Sequence, residues 1–94
     1  MPGRNKIVYH PDVVSRDIPR LDKTAAARIR RAIEDKLNYD PEIYGIPLRG
    51  TLRKYWKLRI GDWRVVFTIG PEEVFILVIA HRKDVYQKTE RRKK

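Results

Sequence analysis

Six side chains in the second half of this 94-residue chain could act together on an anion: Lys57, Arg59, Arg64, His81, Arg82 and Tyr86. Three of them sit in one alternating segment, Trp56-Lys57-Leu58-Arg59-Ile60-Gly61-Asp62-Trp63-Arg64-Val65-Val66-Phe67, where Gly61-Asp62 is a two-residue turn signal with glycine first. A loop of two residues fixes the register. Ile60 then faces Trp63, Arg59 faces Arg64, Leu58 faces Val65, Lys57 faces Val66 and Trp56 faces Phe67. One face of the hairpin is wholly apolar, and the other gathers Lys57, Arg59 and Arg64. Like charges directly across a sheet are destabilising, so arginine set against arginine points to an anion for them to hold.

The chemistry open to this set is that of a phosphodiester. Arginine grips phosphate in a two-pronged fork and stays charged, which suits a group gaining negative charge in its transition state. RNA brings its own nucleophile, the 2′-hydroxyl. Cleaving it takes a group to remove that proton, a group to stabilise the phosphorane, and a group to protonate the departing 5′-oxygen. A lysine among other cations is a candidate base, and the Tyr86 ring and hydroxyl suit base stacking and proton transfer. The set holds no carboxylate pair, no glycine-rich phosphate loop, and no serine or cysteine nucleophile with its base. With two histidines, His10 and His81, and no cysteine, a zinc site is not expected, and neither is any other metal or cofactor. The residues alone do not separate RNA cleavage from simple RNA binding.

Twenty-two Lys and Arg against twelve Asp and Glu give a net charge of +10, a balance that favours polyanionic partners. A bland solvated basic surface is the alternative. A hydrophobic share of 41% is enough for one core, and a single domain over 1–94 is expected, with residues 1–5 and about 88–94 flexible. The absence of cysteine fits a reducing cytoplasm. The first residues lack the apolar stretch of a signal peptide, and no run is long enough to cross a bilayer, so no membrane association is expected.

The elements that must position the six residues can be read along the chain. Residues 6–10 form a short strand, and Pro11 opens a helix that Pro19 should end. Asp22 caps a second helix running to about Asn38, with Ala26, Ile29, Ile33 and Leu37 as its buried stripe and Arg28, Arg31, Glu34 and Asp35 facing water. Residues 39–50 form a loop, and the first hairpin strand starts near Leu52. Residues 74–80 are apolar on both faces, the mark of a central strand. The expected architecture is a two-layer α+β fold, β-α-α-β-β-β, with two helices on one face of a mostly antiparallel sheet and a short C-terminal helix or tail. The cationic face is expected to stay open, and the end of the central strand would bring His81, Arg82 and Tyr86 into one cleft with the hairpin cations.

Leu48-Arg49-Gly50, the hairpin segment 56–67, and Ile79-Ala80-His81-Arg82-Lys83-Asp84-Val85-Tyr86 together resemble the RelE/ParE family of toxins, over nearly the whole chain. The resemblance implies a RelE-like fold and a type II toxin neutralised by a cognate antitoxin. The RelE branch cleaves mRNA in the ribosomal A site, leaving a 2′,3′-cyclic phosphate and a 5′-hydroxyl. By position, Lys57 resembles the lysine implicated as base or transition-state stabiliser, and Arg64 the arginine that holds the scissile phosphate. Arg82 resembles the proposed general acid, and Tyr86 the tyrosine that stacks on or activates the substrate nucleotide. Arg49, Lys54, Tyr55, Arg59, His81 and Lys83 are expected in support. Where some members carry a second lysine two positions before Lys57, this chain has Tyr55, with Lys54 adjacent and aimed at the other face. The implied partners are the antitoxin, through an acidic and partly helical segment, and the 70S ribosome with mRNA in its A site, including contacts to ribosomal RNA. The toxin alone is expected to be a monomer.

Plainer roles stand beside these. His81 alone reads as a structural histidine, and Trp56, Trp63 and Phe67 read as core. Arg59 reads as a solvated strand residue, Arg49 as support for either fold or binding, and Arg91-Arg92-Lys93-Lys94 as a solubilising tail. Two functional alternatives remain: a ParE-like DNA gyrase inhibitor that cuts nothing, and a non-catalytic basic RNA-binding module.

Overall fold

The computed structural model describes residues 5–93; residues 1–4 and Lys94, expected to be flexible, lie outside the described residues. Strand β1 (Lys6–Tyr9) leads into a helical segment with wide turns at Val13–Asp17 that tightens to a 3₁₀ turn at Ile18–Arg20. Pro19 does not cut this segment short. It sits in the first turn of the 3₁₀ piece, where its missing N–H is not needed. Helix α1 (Lys23–Ala32) continues through one wider turn, Ile33–Leu37, to Asn38. Its N-cap is Asp22, whose Oδ1 accepts from the Ala25 N–H at 2.7 Å. Ile29, Ile33 and Leu37 are buried and Ala26, the first residue of the expected stripe, is only half-buried, while Arg28, Arg31, Glu34 and Asp35 are exposed as expected.

The hairpin is β3 (Trp56–Ile60) and β4 (Trp63–Ile69), and all five predicted cross-strand pairs are present. Gly61 takes φ +59°, the left-handed conformation that a glycine-first hairpin turn requires. Strand β5 (Glu73–His81) is an interior strand, second from one edge of a sheet ordered β1-β5-β4-β3-β2, with β1 parallel to β5 and the other neighbours antiparallel; the middle place belongs to β4. Between Val66 and Phe67 the partner strand advances two residues, from Val78 to Ile76, which leaves Leu77 as a bulge.

Three details differ from the sequence expectation. The segment 39–50 is not wholly loop: it holds a short helix α2 (Pro41–Tyr44) and a two-residue edge strand β2 (Ile46–Pro47). The first hairpin strand begins at Trp56, because Gly50–Leu52 folds into a 3₁₀ turn. The cationic face is only partly open. The chain folds back after β5 into helix α3 (Val85–Arg92), and Val85 joins Leu48, Leu52 and Tyr55 over Val66, Val78 and Ala80 in a second core cluster. The principal core lies on the other face, where Ile29, Ile33 and Leu37 meet Leu58, Val65, Phe67 and Ile76.

A buried ion pair joins three elements. Asp17, 2% exposed, receives Arg92 Nη1 at 2.7 Å and Nη2 at 3.2 Å, and also accepts the Ile79 N–H at 2.9 Å. Arg92 Nη1 donates as well to the Leu77 carbonyl at 3.0 Å. Strand β1 covers β5 only as far as Ile76. The pair therefore satisfies backbone groups on the stretch of edge that β1 leaves bare, where an unpaired strand invites association. The basic tail expected from composition is thus helical through Arg92, and Arg92 is built into the fold.

Gly45 packs so closely that a Cβ there would stand 2.7 Å from the Phe67 ring and 2.7 Å from the Pro41 carbonyl. Gly45→Ala is expected to cost about 1–3 kcal/mol as overpacking, seen as a lower urea midpoint at unchanged slope. Hydrogen bonds from Lys93 and from Thr51 hold the Glu90 carboxyl below its ordinary value of 4.5. A carboxylate lowered on folding stabilises above its unfolded pKa and loses that contribution as pH falls through its folded value. The thermal midpoint of Glu90→Gln is therefore expected to lie slightly below that of wild type at neutral pH, with the gap closing in acid.

Candidate active site

The register places Lys57, Arg59 and Arg64 on the same face of the sheet, with Arg59 directly opposite Arg64. Two ends can be distinguished on this face. At one end, Lys57 Nζ donates to the Tyr86 hydroxyl at 2.6 Å and lies 5.4 Å from the ring centroid. Tyr86 is in the first turn of α3 and 46% exposed, so its ring is both held and reachable. A recess of about 520 Å³ opens beside the pair, walled by Ile46, Pro47, Leu48, Arg49 and Leu52. Apolar walls with a cation and a phenol on the floor suit a flat heterocycle attached to a phosphate.

At the other end, Arg64 Nη1 donates to the Gly61 carbonyl at 2.8 Å and to the Trp63 carbonyl at 2.9 Å. This is how the Arg59–Arg64 clash is relieved: one guanidinium is drawn along the strand onto the turn. Nη1 uses both hydrogens there, and the guanidinium carries three further N–H groups. Arg82 leaves the end of β5 beside the same turn. Its N–H donates to the Asp62 carbonyl at 2.8 Å, and its Nε stands 3.8 Å from Asp62 Oδ1 in an exposed ion pair. Surface pairs of this kind are weak, so Arg82 can exchange Asp62 for another anion. Arg59 lies between the two ends, one two-residue step from Lys57, or about 7 Å.

The other expected residues separate. His81 does not share the cleft. It pairs across the sheet with Trp63, which belongs to the helix-covered face, and its ring meets the Trp63 ring edge-on at 5.8 Å between centroids. Its Nδ1 accepts from the Lys83 N–H at 3.2 Å, so His81 shapes the turn that carries Arg82 and Lys83. Alternation along the strand explains the miss: Ala80 is beside Arg64, so the next residue points away. Tyr55 is 4% exposed inside the second core cluster and offers no open ring to a nucleotide. Lys54 is exposed, with its Nζ 5.3 Å from the Tyr55 ring centroid. Arg49 lines the recess, and Lys83 is exposed in the turn after β5. The recess walls Ile46, Pro47 and Leu52 were not singled out from sequence; Pro47 ahead of Leu48-Arg49-Gly50 was the one available signal, as a residue confined to sheet edges.

Residues 7–86 match the family described as ParE toxin of type II toxin–antitoxin system, parDE. The chain is similar to Toxin RelE of Mycobacterium tuberculosis, 38% identical over 85 residues that cover 84% of this chain and 87% of that protein. Among solved structures, it is similar to a chain of the RelBE2 toxin–antitoxin complex of the same organism, with TM-score 0.78 and 26% identity over 87% of this chain and 95% of that one. A chain of the RelB–RelE complex of Methanococcus jannaschii shares the fold, with TM-score 0.66 at 18% identity over 85% and 95% of the two chains.

The N–H groups of Arg64 beyond Nη1 equip it to grip a phosphate. Arg64→Ala is expected to weaken binding of a short single-stranded RNA and to flatten the dependence of log affinity on log salt by about 0.7 for each phosphate no longer neutralised. Titrations at several salt concentrations check this; an unchanged slope would show that Arg64 meets no phosphate.

Proposed function

The chain belongs to the RelE/ParE family of toxins of type II toxin–antitoxin systems, and from that premise we propose that it is a ribosome-dependent endoribonuclease that cleaves mRNA in the A site and so halts translation in the cytoplasm. The observation that carries this reading is the 2.6 Å contact between Lys57 and Tyr86, on the sheet face that also presents Arg59 and Arg64. The contact sets a nitrogen base and a phenol side by side at the mouth of the recess, where an RNA nuclease that uses the substrate's own hydroxyl could employ both.

In this reading the nucleotide 5′ to the cut enters the recess and stacks on Tyr86. The Lys57–Tyr86 pair, once it has given up one proton to solvent, takes the 2′-hydroxyl proton as the 2′-oxygen bonds to phosphorus. Arg64 and Arg59 carry the charge that builds on the non-bridging oxygens. Arg82, released from Asp62, hydrogen-bonds the departing 5′-oxygen and passes it a proton that the guanidinium regains from solvent, while the Lys57–Tyr86 pair returns the 2′-hydroxyl proton to solvent. The products are a 2′,3′-cyclic phosphate and a 5′-hydroxyl, with no water consumed. The groups on the chain are few, so the ribosome contributes the alignment of the mRNA. RelE-type neighbours occur in complexes with antitoxins, and a cognate antitoxin with an acidic, partly helical segment would mask the cationic face of this one.

The ParE description of the matched family carries a second reading, inhibition of DNA gyrase without RNA cleavage. One experiment separates the two: induced expression followed by mapping of mRNA 5′ ends. Cuts inside translated codons are expected with the wild-type chain, and a drop of at least about a hundredfold with Lys57→Met or Arg82→Ala. Intact mRNA together with trapped, cleaved DNA would favour the gyrase reading.

A further inference from the structure

Helix α3 carries Tyr86 but is poorly equipped to hold itself. It has eight residues, below the length at which isolated helices persist in water. Only Val85 and Thr89 are buried, and Asp84 makes no side-chain cap. The Thr89 hydroxyl turns back to the Val85 carbonyl at 2.7 Å and adds no bond to the sheet. Val85 packs the first turn into the second core cluster, and the polar attachment is concentrated at the far end. Arg92 reaches Asp17 through both Nη atoms and the Leu77 carbonyl through one of them. One exposed hydrogen bond, Thr51 Oγ1 to Glu90 Oε1 at 2.8 Å, adds a second tether.

We propose that Asp17 and Arg92 are positioning residues for the candidate active site: by pinning the last turn of α3 to β5, they set where its first turn carries Tyr86 and keep the hydroxyl on Lys57. The path is short. The link from β5 to α3 is Arg82-Lys83-Asp84, all exposed. The helix then returns along β5, so that Arg92 lies against Leu77, inside the strand that launched it. A helix is stiff, and Tyr86 and Arg92 are about 9 Å apart along its axis. Freeing one end therefore moves the other by a distance that matters to a hydrogen bond. Neither Asp17 nor Arg92 touches the recess or the proposed scissile phosphate.

The physical part of this proposal stands on geometry alone; its effect on turnover rests on the nuclease reading, and the test keeps the two apart. Nuclear Overhauser contacts between the Tyr86 ring and the Lys57 side chain are compared in wild type, Arg92→Gln and Arg92→Lys, with contacts among Ile29, Ile33 and Phe67 reporting an intact core. Arg92→Gln is expected to lose most of the Tyr86–Lys57 intensity with the core contacts kept, and Arg92→Lys, which leaves a charge for Asp17, to recover part of it. In single-turnover cleavage on programmed ribosomes, the rate constant at saturation should fall about tenfold to a hundredfold for Arg92→Gln, with ribosome affinity nearly unchanged. A folded Arg92→Gln protein that keeps the Tyr86–Lys57 contact at wild-type strength overturns the proposal. If Arg92→Gln fails to fold, Asp17→Asn and Arg92→Lys carry the same comparison, and unchanged contacts in both overturn it. Weakened Tyr86–Lys57 intensity in a set of proteins that never cleave, wild type included, upholds the positioning role and overturns the nuclease reading.

Discussion

Everything else in this molecule depends on the register of one hairpin. A two-residue turn with Gly61 at positive φ allows one pairing of β3 with β4. Because side chains alternate with a period of two, that pairing assigns every residue of both strands to a face at once. Leu58, Val65 and Phe67 are committed to the core beneath α1, and Lys57, Arg59 and Arg64 to the opposite side. A slip of one residue would bury three cations and expose the apolar set, at a cost far beyond the few kcal/mol that keep a small domain folded. The core and the candidate site are two outcomes of the same constraint.

The charge that composition reports as a single excess is put to different uses across the structure. Arg92 is consumed by Asp17 and the edge of β5. Arg64 leans on the carbonyls of the hairpin turn, and Arg82 pairs loosely with Asp62. Lys57 is spoken for by Tyr86. Lys57, Arg64 and Arg82 are thus held by neutral or weakly paired acceptors, which restrain their geometry and leave their charge largely uncancelled. Arg92 is the exception, because its carboxylate partner is buried with it.

What sequence revealed, and what it hid, follows from the range of the interactions involved. The hairpin pairs, the Asp22 cap, most of the α1 stripe and the buried interior strand were legible, because each is set by neighbours within a few positions. Lys57 and Tyr86 stand out in sequence as candidates, but their direct contact does not. The Asp17–Arg92 pair spans 75 positions, and nothing local distinguishes Arg92 from Arg91 beside it. His81 was misplaced for a subtler reason: the end of a strand says which residues arrive together, and only the register says which way each one turns. Tyr55 looked like a substitute for a basic residue, yet the 3₁₀ turn before β3 drives it inward. The return of α3 over the cationic face rests on contacts far apart in sequence, Arg92 to Asp17 and to the Leu77 carbonyl among them, and no periodicity announces them.

The second core cluster bears on how such a protein can change. Leu48 and Leu52 stand at once in the wall of the recess and in the packing that holds α3 and the 3₁₀ turn in place. Any change in the shape of that recess would act on residues whose first duty is to keep the chain folded. Stability and the shape of the recess are therefore inherited together, and a lineage can reshape the recess only as far as its spare stability extends.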